Sequence, residues 1–265
     1  MTVGLNNAPT KGETPWLVIS RPNPGAALRL FCFPYAGGST QIYRTWTNAL
    51  PSTVEMCAVE LPGRGRRLRE QNHHDLMTLV AEAFKVLSPY MNKPFAFFGH
   101  SMGALMSFEL ARLLRREGRP APARIFVSAR RAPQIPDIEP PTYNLPEDEF
   151  IAELRRLNGT PQEVLEHNEL LQLMLPILRA DFSVCQTYGY VPEPPLDVGI
   201  TAYGGVEDKD VSREQLEAWG QQTGSDFNLR MMPGDHFFIH SSQAQLLQSL
   251  SQELHGLVRN IVMKG

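Results

Sequence analysis

Three residues in separate stretches of the chain, Ser101, Asp208 and His236, have the side chains needed for nucleophilic catalysis. Serine attacks efficiently when an imidazole removes its proton, and a carboxylate holds that imidazole in the correct tautomer and stabilises the imidazolium. The serine lies in the G-x-S-x-G pattern of residues 99–103. On a tight turn from a strand to a helix, this pattern exposes the serine oxygen, while its glycines relieve crowding. These residue types predict acyl transfer through an acyl-serine intermediate.

Two other acidic residues compete for the role of Asp208, since Glu207 and Asp210 lie beside it. An acidic turn by itself is most often a solvated turn. Asp208 is preferred because it ends the run Gly205-Val206-Glu207-Asp208 and is followed by Val211, the usual place of the aspartate in the acid turn of hydrolases. Glu207 and Asp210 remain alternatives.

The negative charge that develops on a substrate carbonyl oxygen requires fixed hydrogen-bond donors. The backbone N–H of Met102, at the start of the helix after the serine, is one expected donor. The second is expected from Tyr35-Ala36-Gly37-Gly38, where glycines let the main chain approach the substrate. We assign it to the N–H of Ala36, with Tyr35 as the alternative.

The elements that must position these residues alternate between strands and helices. Strands are predicted at residues 28–33, 54–61, 95–98, 124–128, 198–203 and 227–232. Residues 1 to about 25 are predicted to form a loose, partly extended lead-in, and a helix is predicted after the glycine-rich turn that follows the first strand. Ser101, Asp208 and His236 each follow one of these strands, and in an open α/β sheet reactive groups gather at the carboxyl ends of the strands. The chain order Ser, acid, His is that of the α/β-hydrolase fold. We therefore predict one α/β domain over residues 1–265, with a mostly parallel sheet and helices on both faces.

One all-helical insertion, at about residues 135–190, is expected to interrupt this alternation. A helix is predicted from Glu147 to Leu157, and Thr160-Pro161-Gln162-Glu163 has the form of a capping box with Thr160 as the cap. Further on, residues 170–178 are apolar on nearly every side of a helix. Such a helix must be covered by protein or by an apolar ligand.

Composition excludes several classes of function. The chain has 265 residues, a net charge of -3 and 20% charged residues, so its overall charge does not favour binding to nucleic acid or to an anionic membrane. No apolar run reaches the roughly 20 residues of a membrane span, and no secretory signal is recognised. Three widely spaced cysteines support neither a disulfide framework nor a zinc site. We expect a cytoplasmic protein with no metal.

Five motifs together carry a resemblance that covers nearly the whole chain from Leu28 onward. They are Phe31-Cys32-Phe33-Pro34-Tyr35-Ala36-Gly37-Gly38, Glu60-Leu61-Pro62-Gly63-Arg64, Gly99-His100-Ser101-Met102-Gly103, Leu175-Pro176-Ile177-Leu178-Arg179-Ala180-Asp181 and Gly234-Asp235-His236-Phe237-Phe238. The chain resembles the stand-alone type II thioesterases of polyketide and nonribosomal peptide synthesis. It is similar, more distantly, to the medium-chain thioesterase of animal fatty acid synthesis. The family usually has glycine at the position of Asp235, a departure with no expected effect on His236.

The resemblance implies hydrolysis of acyl groups from the phosphopantetheine arm of acyl or peptidyl carrier proteins, without a cofactor other than the arm itself. It implies that the helical insertion is a lid over the acyl site. Substrate contacts are then expected from Leu171, Met174, Leu175 and Leu178, although the same residues could pack only on the core. In the basic loop of residues 64–69, Arg64 and Arg66 could contact the phosphate or an acidic carrier protein; the alternative is a solvated basic loop. We expect a monomer.

Three other functions compete with this interpretation. A medium-chain fatty acyl thioesterase would use the same residues, and so would a general carboxylesterase or lipase. Relative rates on carrier-linked acyl groups and on oxygen esters would distinguish a carboxylesterase or lipase from a carrier-specific thioesterase. A non-catalytic α/β-hydrolase scaffold that only binds acyl groups is the third. The complete set of Ser101, Asp208 and His236 argues against it, and failure of a serine-reactive phosphonate to label Ser101 would favour it.

Overall fold

A single sheet organises the computed structural model, which describes residues 14–264. Its strands are β1 (Leu17–Val18), β2 (Leu28–Phe33), β3 (Val54–Val59), β4 (Phe95–His100), β5 (Ile125–Ser128), β6 (Ile200–Gly205) and β7 (Phe227–Met232). Their order is β1-β3-β2-β4-β5-β6-β7. β1 pairs antiparallel with β3, and each other neighbouring pair is parallel. The predicted mostly parallel α/β sheet is confirmed.

Helices cover both faces of this sheet. They are α1 (Leu76–Leu87), α2 (Met102–Arg116), α3 (Glu147–Leu157), α4 (Gln162–Glu166), α5 (Asn168–Gln186), α6 (Arg213–Glu217), α7 (Phe238–Ser241) and α8 (Gln243–Lys264). Alternate residues of β2 divide between two cores, since Phe31 and Phe33 pack in the cluster that contains α1 and α2, whereas Leu30 and Cys32 pack in the cluster that contains α8. Because both faces are covered, β3 to β6 are buried along their whole length, which is why they are apolar runs without alternation.

The sequence prediction missed one strand and one irregular segment. Residues 14–25 were expected to form a loose lead-in, but Leu17 and Val18 pair with β3; a strand of two residues has too little periodicity to be recognised. The part of the predicted lead-in before residue 14 lies outside the described residues. After β2, a helix was expected, and the chain instead forms two short 3₁₀ turns, Thr40–Tyr43 and Trp46–Asn48. Threonine and asparagine are frequent in this short run, and they are weak helix formers.

Three helices, α3 to α5, occupy the connection between β5 and β6, within the predicted insertion. The predicted bounds of α3 are confirmed, and Asn158 ends it in a left-handed conformation with φ of 54°. The capping box at Thr160 is wrong, because Pro161 itself occupies the N-cap position of α4 and no side chain caps the helix. Among residues 14–264, no helix combines the length and hydropathy that a membrane span requires.

Candidate active site

Ser101 lies on the sharp turn between β4 and α2. Its backbone has φ of 52° and ψ of -110°, a conformation that costs free energy for any residue with a side chain. The turn is held in place because Ser101 N donates a hydrogen bond of 2.8 Å to the carbonyl of Ser128 at the end of β5. Strain at this position is typical of a nucleophile elbow, in which the serine oxygen is displayed above the sheet.

Close approach of the main chain explains the two glycines of the pattern. A Cβ atom on Gly99 would lie 2.0 Å from the carbonyl oxygen of Gly103, and one on Gly103 would lie 2.2 Å from the carbonyl oxygen of Phe33. Both distances are far below van der Waals contact with rigid backbone atoms. Any side chain at either position would therefore move α2 away from β2 and β4 and displace the serine.

His236 and Asp208 form a hydrogen-bonded pair at the carboxyl ends of β7 and β6. His236 Nδ1 lies 2.9 Å from Asp208 Oδ2, and the Asp208 side chain is 1% exposed against 16% for His236. The second carboxylate oxygen, Oδ1, accepts hydrogen bonds from the backbone N–H groups of Asp210 and Val211 at 2.9 and 3.1 Å. The carboxylate is thereby fixed in orientation and leaves one oxygen for the imidazole.

The structure separates the three acidic candidates of this turn. Asp208 alone of the three contacts His236, whereas Asp210 accepts a hydrogen bond from Arg156 at 3.2 Å. Glu207 is exposed. Its backbone N–H donates to the carbonyl of Gly234 at 3.0 Å, so it joins the two loops through main chain. The geometry therefore favours Asp208 for the carboxylate role.

Ser101 and His236 line one cavity of about 500 Å³, which lies between the sheet edge and the inserted helices. Ala36 and Tyr35 from the loop after β2 line it too, as does Leu178 of α5. Serine and imidazole thus face the same enclosed space, with main chain of the glycine-rich loop beside them. An acyl group in this space can meet a nucleophile, a base and backbone donors together.

His100 supports this site in a way that sequence reasoning missed. It is fully buried, with Nδ1 2.9 Å from Ser128 Oγ and Nε2 3.0 Å from the carbonyl oxygen of His236. Burial, reinforced by His236, lowers the pKa of His100 well below its usual value, so the ring is neutral. Because a carbonyl can only accept, Nε2–H donates to His236 and Nδ1 accepts from Ser128. His100 thus holds the main chain of the candidate base next to the elbow.

The backbone N–H groups of Ala36 and Met102 are the two proposed donors to the oxyanion. Within residues 14–264, neither the N–H of Ala36 nor that of Met102 donates to a protein acceptor. The first N–H groups of a helix have no partner inside the helix, which leaves Met102 free to donate to a ligand. Gly37 is not available, because its N–H donates to Asp181 Oδ2 at 2.7 Å. Tyr35 also lines the cavity, so the choice of Ala36 stays a prediction.

The predicted contact of Arg64 with a substrate phosphate is wrong. Its guanidinium is buried and forms a two-pronged ion pair with Asp181 of α5, at 2.6 and 2.7 Å. It also donates to the carbonyl of Gly38 at 3.1 Å. These partners leave no face of Arg64 for a phosphate. Arg66, in contrast, is exposed, and its contact with a carrier protein stays a prediction.

Asp181 joins the inserted helices to the loop that carries the proposed oxyanion donor. Its carboxylate accepts from Arg64 and from the N–H of Gly37, which directly follows Ala36. A carboxylate in the apolar stretch of α5 is the only sequence signal that could have revealed it, since burying such a charge requires a partner. The pair fixes the path of the glycine-rich loop against α5.

Replacing Asp181 by alanine is expected to destabilise the fold by about 3–5 kcal/mol, because Arg64 would remain buried without a counter-charge. The free energy of unfolding from urea titration measures this loss. The matched control is Glu217→Ala, which removes one carboxylate from the exposed Arg213–Glu217 pair and should change stability little. The double replacement Arg64→Met with Asp181→Leu should be less damaging than Asp181→Ala. A loss below about 1 kcal/mol for Asp181→Ala would contradict the role assigned to the pair.

Only one of the four predicted substrate contacts on α5 lines the cavity. Leu178 does so, whereas Leu171 and Leu175 are buried against Phe150 and Leu154 of α3, and Met174 packs against the same cluster. The predicted contacts of Leu171 and Leu175 are therefore wrong, whereas that of the partly buried Met174 stays a prediction. Their spacing places them on the face of α5 that meets α3, where they pack between the two helices.

The apolar stretch of α5 is also less covered than expected. Leu170 and Leu173 on its outer face are 45% and 49% exposed. The expectation that protein or ligand must cover the helix on every side is thus not met among the described residues. The inner face alone holds the helix in place.

Asp208, Asp210 and His236 also come close enough to hold an ion, with their ligand atoms within 4.8 Å of one another. The hydrogen bonds already described use His236 Nδ1 and both oxygens of Asp208. The cluster is thus explained by mutual hydrogen bonding, and the expectation of no metal stays a prediction.

Comparison with known proteins identifies the family. A family model described as a thioesterase domain matches residues 28–254. The chain belongs to the thioesterase family. It is accordingly an enzyme that hydrolyses thioesters, in agreement with the resemblance of its motifs.

Similar proteins span nearly the whole of this thioesterase. It is 46% identical over 242 residues to the linear gramicidin dehydrogenase LgrE of Brevibacillus parabrevis, covering 90% of this chain and 92% of that protein. It is 45% identical over 239 residues to the gramicidin S biosynthesis protein GrsT of Aneurinibacillus migulanus, covering 90% and 93%. The name of LgrE describes an oxidoreductase, whereas the matching family model describes a thioesterase.

A solved structure gives the same result for the fold. The thioesterase RedJ, from the prodiginine pathway of Streptomyces coelicolor, superposes with a TM-score of 0.83 at 36% identity. The superposition covers 92% of this chain and 97% of RedJ. The α/β-hydrolase architecture predicted from the sequence is therefore shared with a known thioesterase.

Proposed function

We propose that this thioesterase is a type II, editing enzyme that removes acyl or aminoacyl groups from the phosphopantetheine arm of carrier proteins in polyketide or nonribosomal peptide biosynthesis. The observation that carries the proposal is the fixed His236–Asp208 pair in a cavity that it shares with Ser101 and with backbone of the glycine-rich loop. A covalent acyl-serine route needs these groups and no others from the protein.

The reaction proceeds in two halves. His236 Nε2 takes the proton of Ser101 Oγ as that oxygen attacks the thioester carbonyl, and the N–H groups of Met102 and Ala36 stabilise the resulting oxyanion. The tetrahedral intermediate collapses by breaking the carbon–sulfur bond, and the imidazolium gives its proton to the departing thiolate, which leaves His236 neutral for the second half. His236 then activates water, which attacks the acyl-serine and releases the acid. Asp208 keeps Nδ1 protonated, so that Nε2 can accept the proton in each half.

Several features support a carrier-bound substrate. GrsT and RedJ take their descriptions from gramicidin S and prodiginine biosynthesis, and this chain covers 93% and 97% of their lengths. The cavity is bounded by Leu178 and Phe182 of α5 and by Leu154 of α3, so the inserted helices act as a lid over the acyl chain. Exposed Arg66 is available to an acidic carrier protein. The substrate brings its own phosphopantetheine, and the enzyme works as a cytoplasmic monomer without another cofactor.

The test is mass spectrometry of a panel of acyl- and aminoacyl-loaded carrier proteins before and after exposure to the enzyme. We expect loss of the acyl mass and recovery of the free phosphopantetheine thiol. The Ser101→Ala protein, incubated in parallel, controls for spontaneous hydrolysis. A simple oxygen ester with the same acyl group provides the comparison with a general carboxylesterase. Faster hydrolysis of the oxygen ester than of the carrier thioester would contradict the proposal.

A further inference from the structure

Arg130 lies in the wall of the cavity that Ser101 also lines. It comes two residues after Ser128, whose carbonyl accepts the hydrogen bond from Ser101 N at 2.8 Å. Between them, Ala129 adopts a left-handed conformation with φ of 49°. The carbonyl of Arg130 accepts a hydrogen bond of 2.7 Å from Trp219 Nε1. The main chain that carries this guanidinium is thus fixed on both sides.

The guanidinium itself has no partner, unlike the two other arginines of the cavity wall. Its Nε is buried without a hydrogen bond, and its remaining N–H groups make no hydrogen bond or ion pair with any part of residues 14–264. Arg131, the next residue, pairs with Asp137. Arg156 pairs with Glu153 at 2.8 Å.

Among the other charged groups of the wall, Asp137 attracts Arg130, but its carboxylate is already paired with Arg131. Asp210 accepts from Arg156 and so is already engaged. Glu139 and Lys209 are exposed to solvent, which screens their charges. Burial lowers the pKa of the Arg130 guanidinium below its usual value, and the nearby Asp137 carboxylate offsets only part of this effect. A guanidinium nevertheless stays protonated in proteins.

An unpaired guanidinium in the cavity wall has a definite preference among ligands. It gains most from a carboxylate, whose two oxygens match the planar fork of a guanidinium. A second cation bound beside it in the same cavity is repelled, because two like charges at close range disfavour each other. A neutral acyl group is neither attracted nor repelled by the guanidinium charge, so its binding is expected to be intermediate in strength. The cavity is therefore expected to distinguish acyl groups by charge.

We infer that Arg130 is a charge-selective substrate contact, which binds carboxylate oxygens on the acyl group and disfavours acyl groups that carry an ammonium. The inference rests on the proposed function, because it assigns Arg130 to the acyl part of the same cavity. Acyl carboxylate is favoured over the phosphate of the arm, since that phosphate lies at the far end of a long linker from the thioester sulfur. Carriers that hold an amino acid would then be spared relative to carriers mis-loaded with a neutral or acidic acyl group.

Three pantetheine thioesters test this selectivity through kcat/KM. Butyryl and β-alanyl differ only in a methyl against an ammonium group, and malonyl supplies a carboxylate. For Arg130→Gln, we expect the malonyl-to-butyryl ratio to fall, and the β-alanyl-to-butyryl ratio to rise, by about tenfold to a hundredfold each. Ratios are compared between variants, so differences in intrinsic reactivity cancel.

Two further variants sharpen the test. Arg130→Lys keeps the charge without the planar fork, so it should retain the discrimination against β-alanyl and lose part of the malonyl preference. Arg213→Gln is the control, because it removes the same charge from an exposed arginine that is paired with Glu217 and does not line the cavity. It should change neither ratio by more than about threefold, as expected for a pair that is already neutralised.

Distinct results would overturn the inference. Unchanged ratios in Arg130→Gln, with normal butyryl hydrolysis, would remove Arg130 from acyl selection while leaving the proposed function intact. The same assays on 4′-phosphopantetheine thioesters show whether Arg130 binds the phosphate of the arm instead of the acyl carboxylate. If Arg130→Gln slows all three acyl groups equally, and only when the phosphate is present, Arg130 contacts the arm instead. Failure of the unmodified enzyme to hydrolyse any of the thioesters would count against the proposed function itself.

Discussion

Ser101→Ala is expected to lower kcat for acyl-pantetheine hydrolysis by about 10⁴-fold or more, because it removes the hydroxyl that forms the acyl-enzyme from the turn between β4 and α2. Steady-state kinetics on butyryl-pantetheine measure the loss. The fold should be retained, since the alanine keeps the turn and Ser101 N still donates to the carbonyl of Ser128. Circular dichroism and thermal unfolding of the variant check that expectation.

A labelling experiment separates a catalytic role of Ser101 from a merely structural one. A serine-reactive phosphonate should add its mass to the unmodified enzyme at Ser101, and not to Ser101→Ala. The matched control is Ser128→Ala, which alters the serine bonded to His100 rather than the serine on the elbow. Labelling of Ser101→Ala to the same extent, or activity close to that of the unmodified enzyme, would reject the assignment of Ser101 as nucleophile.

Asp208→Asn is expected to lower kcat by about 10³ to 10⁴-fold, while Asp210→Asn should stay within a few-fold of the unmodified enzyme. An asparagine amide can present its N–H to His236 Nδ1, which favours the tautomer whose Nε2 carries the proton and so cannot accept one from serine. Asp210 is the matched control because it lies in the same turn and pairs with Arg156 instead. Equal losses in the two variants would contradict Asp208 as the partner of the imidazole.

The effect of Asp208→Asn should appear in kcat rather than in KM. The carboxylate contacts His236 and the backbone N–H groups of Asp210 and Val211, not the acyl part of the cavity. Transition-state stabilisation is therefore lost while ground-state binding is kept. A large rise in KM at constant kcat would show that Asp208 supports the substrate-binding cavity and does not orient His236.

Residue type and order along the chain were sufficient to select three candidate reacting groups that the fold brings to one edge of the sheet. Ser101 stands in a G-x-S-x-G pattern between a strand and a helix, and Asp208 and His236 each follow an apolar run of strand length. Parallel strands share one carboxyl edge, so placing each residue after a strand is enough to bring the three together. The bounds of β2, β7 and α3 were predicted for a similar reason, because they depend on local periodicity and on turn residues.

Predictions failed where the partner of a side chain lies far away in the sequence. Arg64 in a basic loop looked available for a phosphate, but Asp181, 117 residues later, neutralises it in the folded chain. Leu171 and Leu175 have the apolar character of an acyl-binding wall, yet α3 covers them. In each case the chemical character of the residue was read correctly, but its partner in the folded chain was not predicted.

The sequence by itself therefore determined the fold class and the candidate catalytic groups of this thioesterase: a serine, an imidazole and a carboxylate at the ends of parallel strands, with glycines that permit the turn at Ser101. Only the tertiary structure decided which charges are satisfied. It paired Arg64 with Asp181, used His100 to hold His236, and left the Arg130 guanidinium in the cavity wall without a partner among residues 14–264. The physical reason is that local patterns set elements and their order, whereas burial and pairing of a charge depend on which elements pack against it.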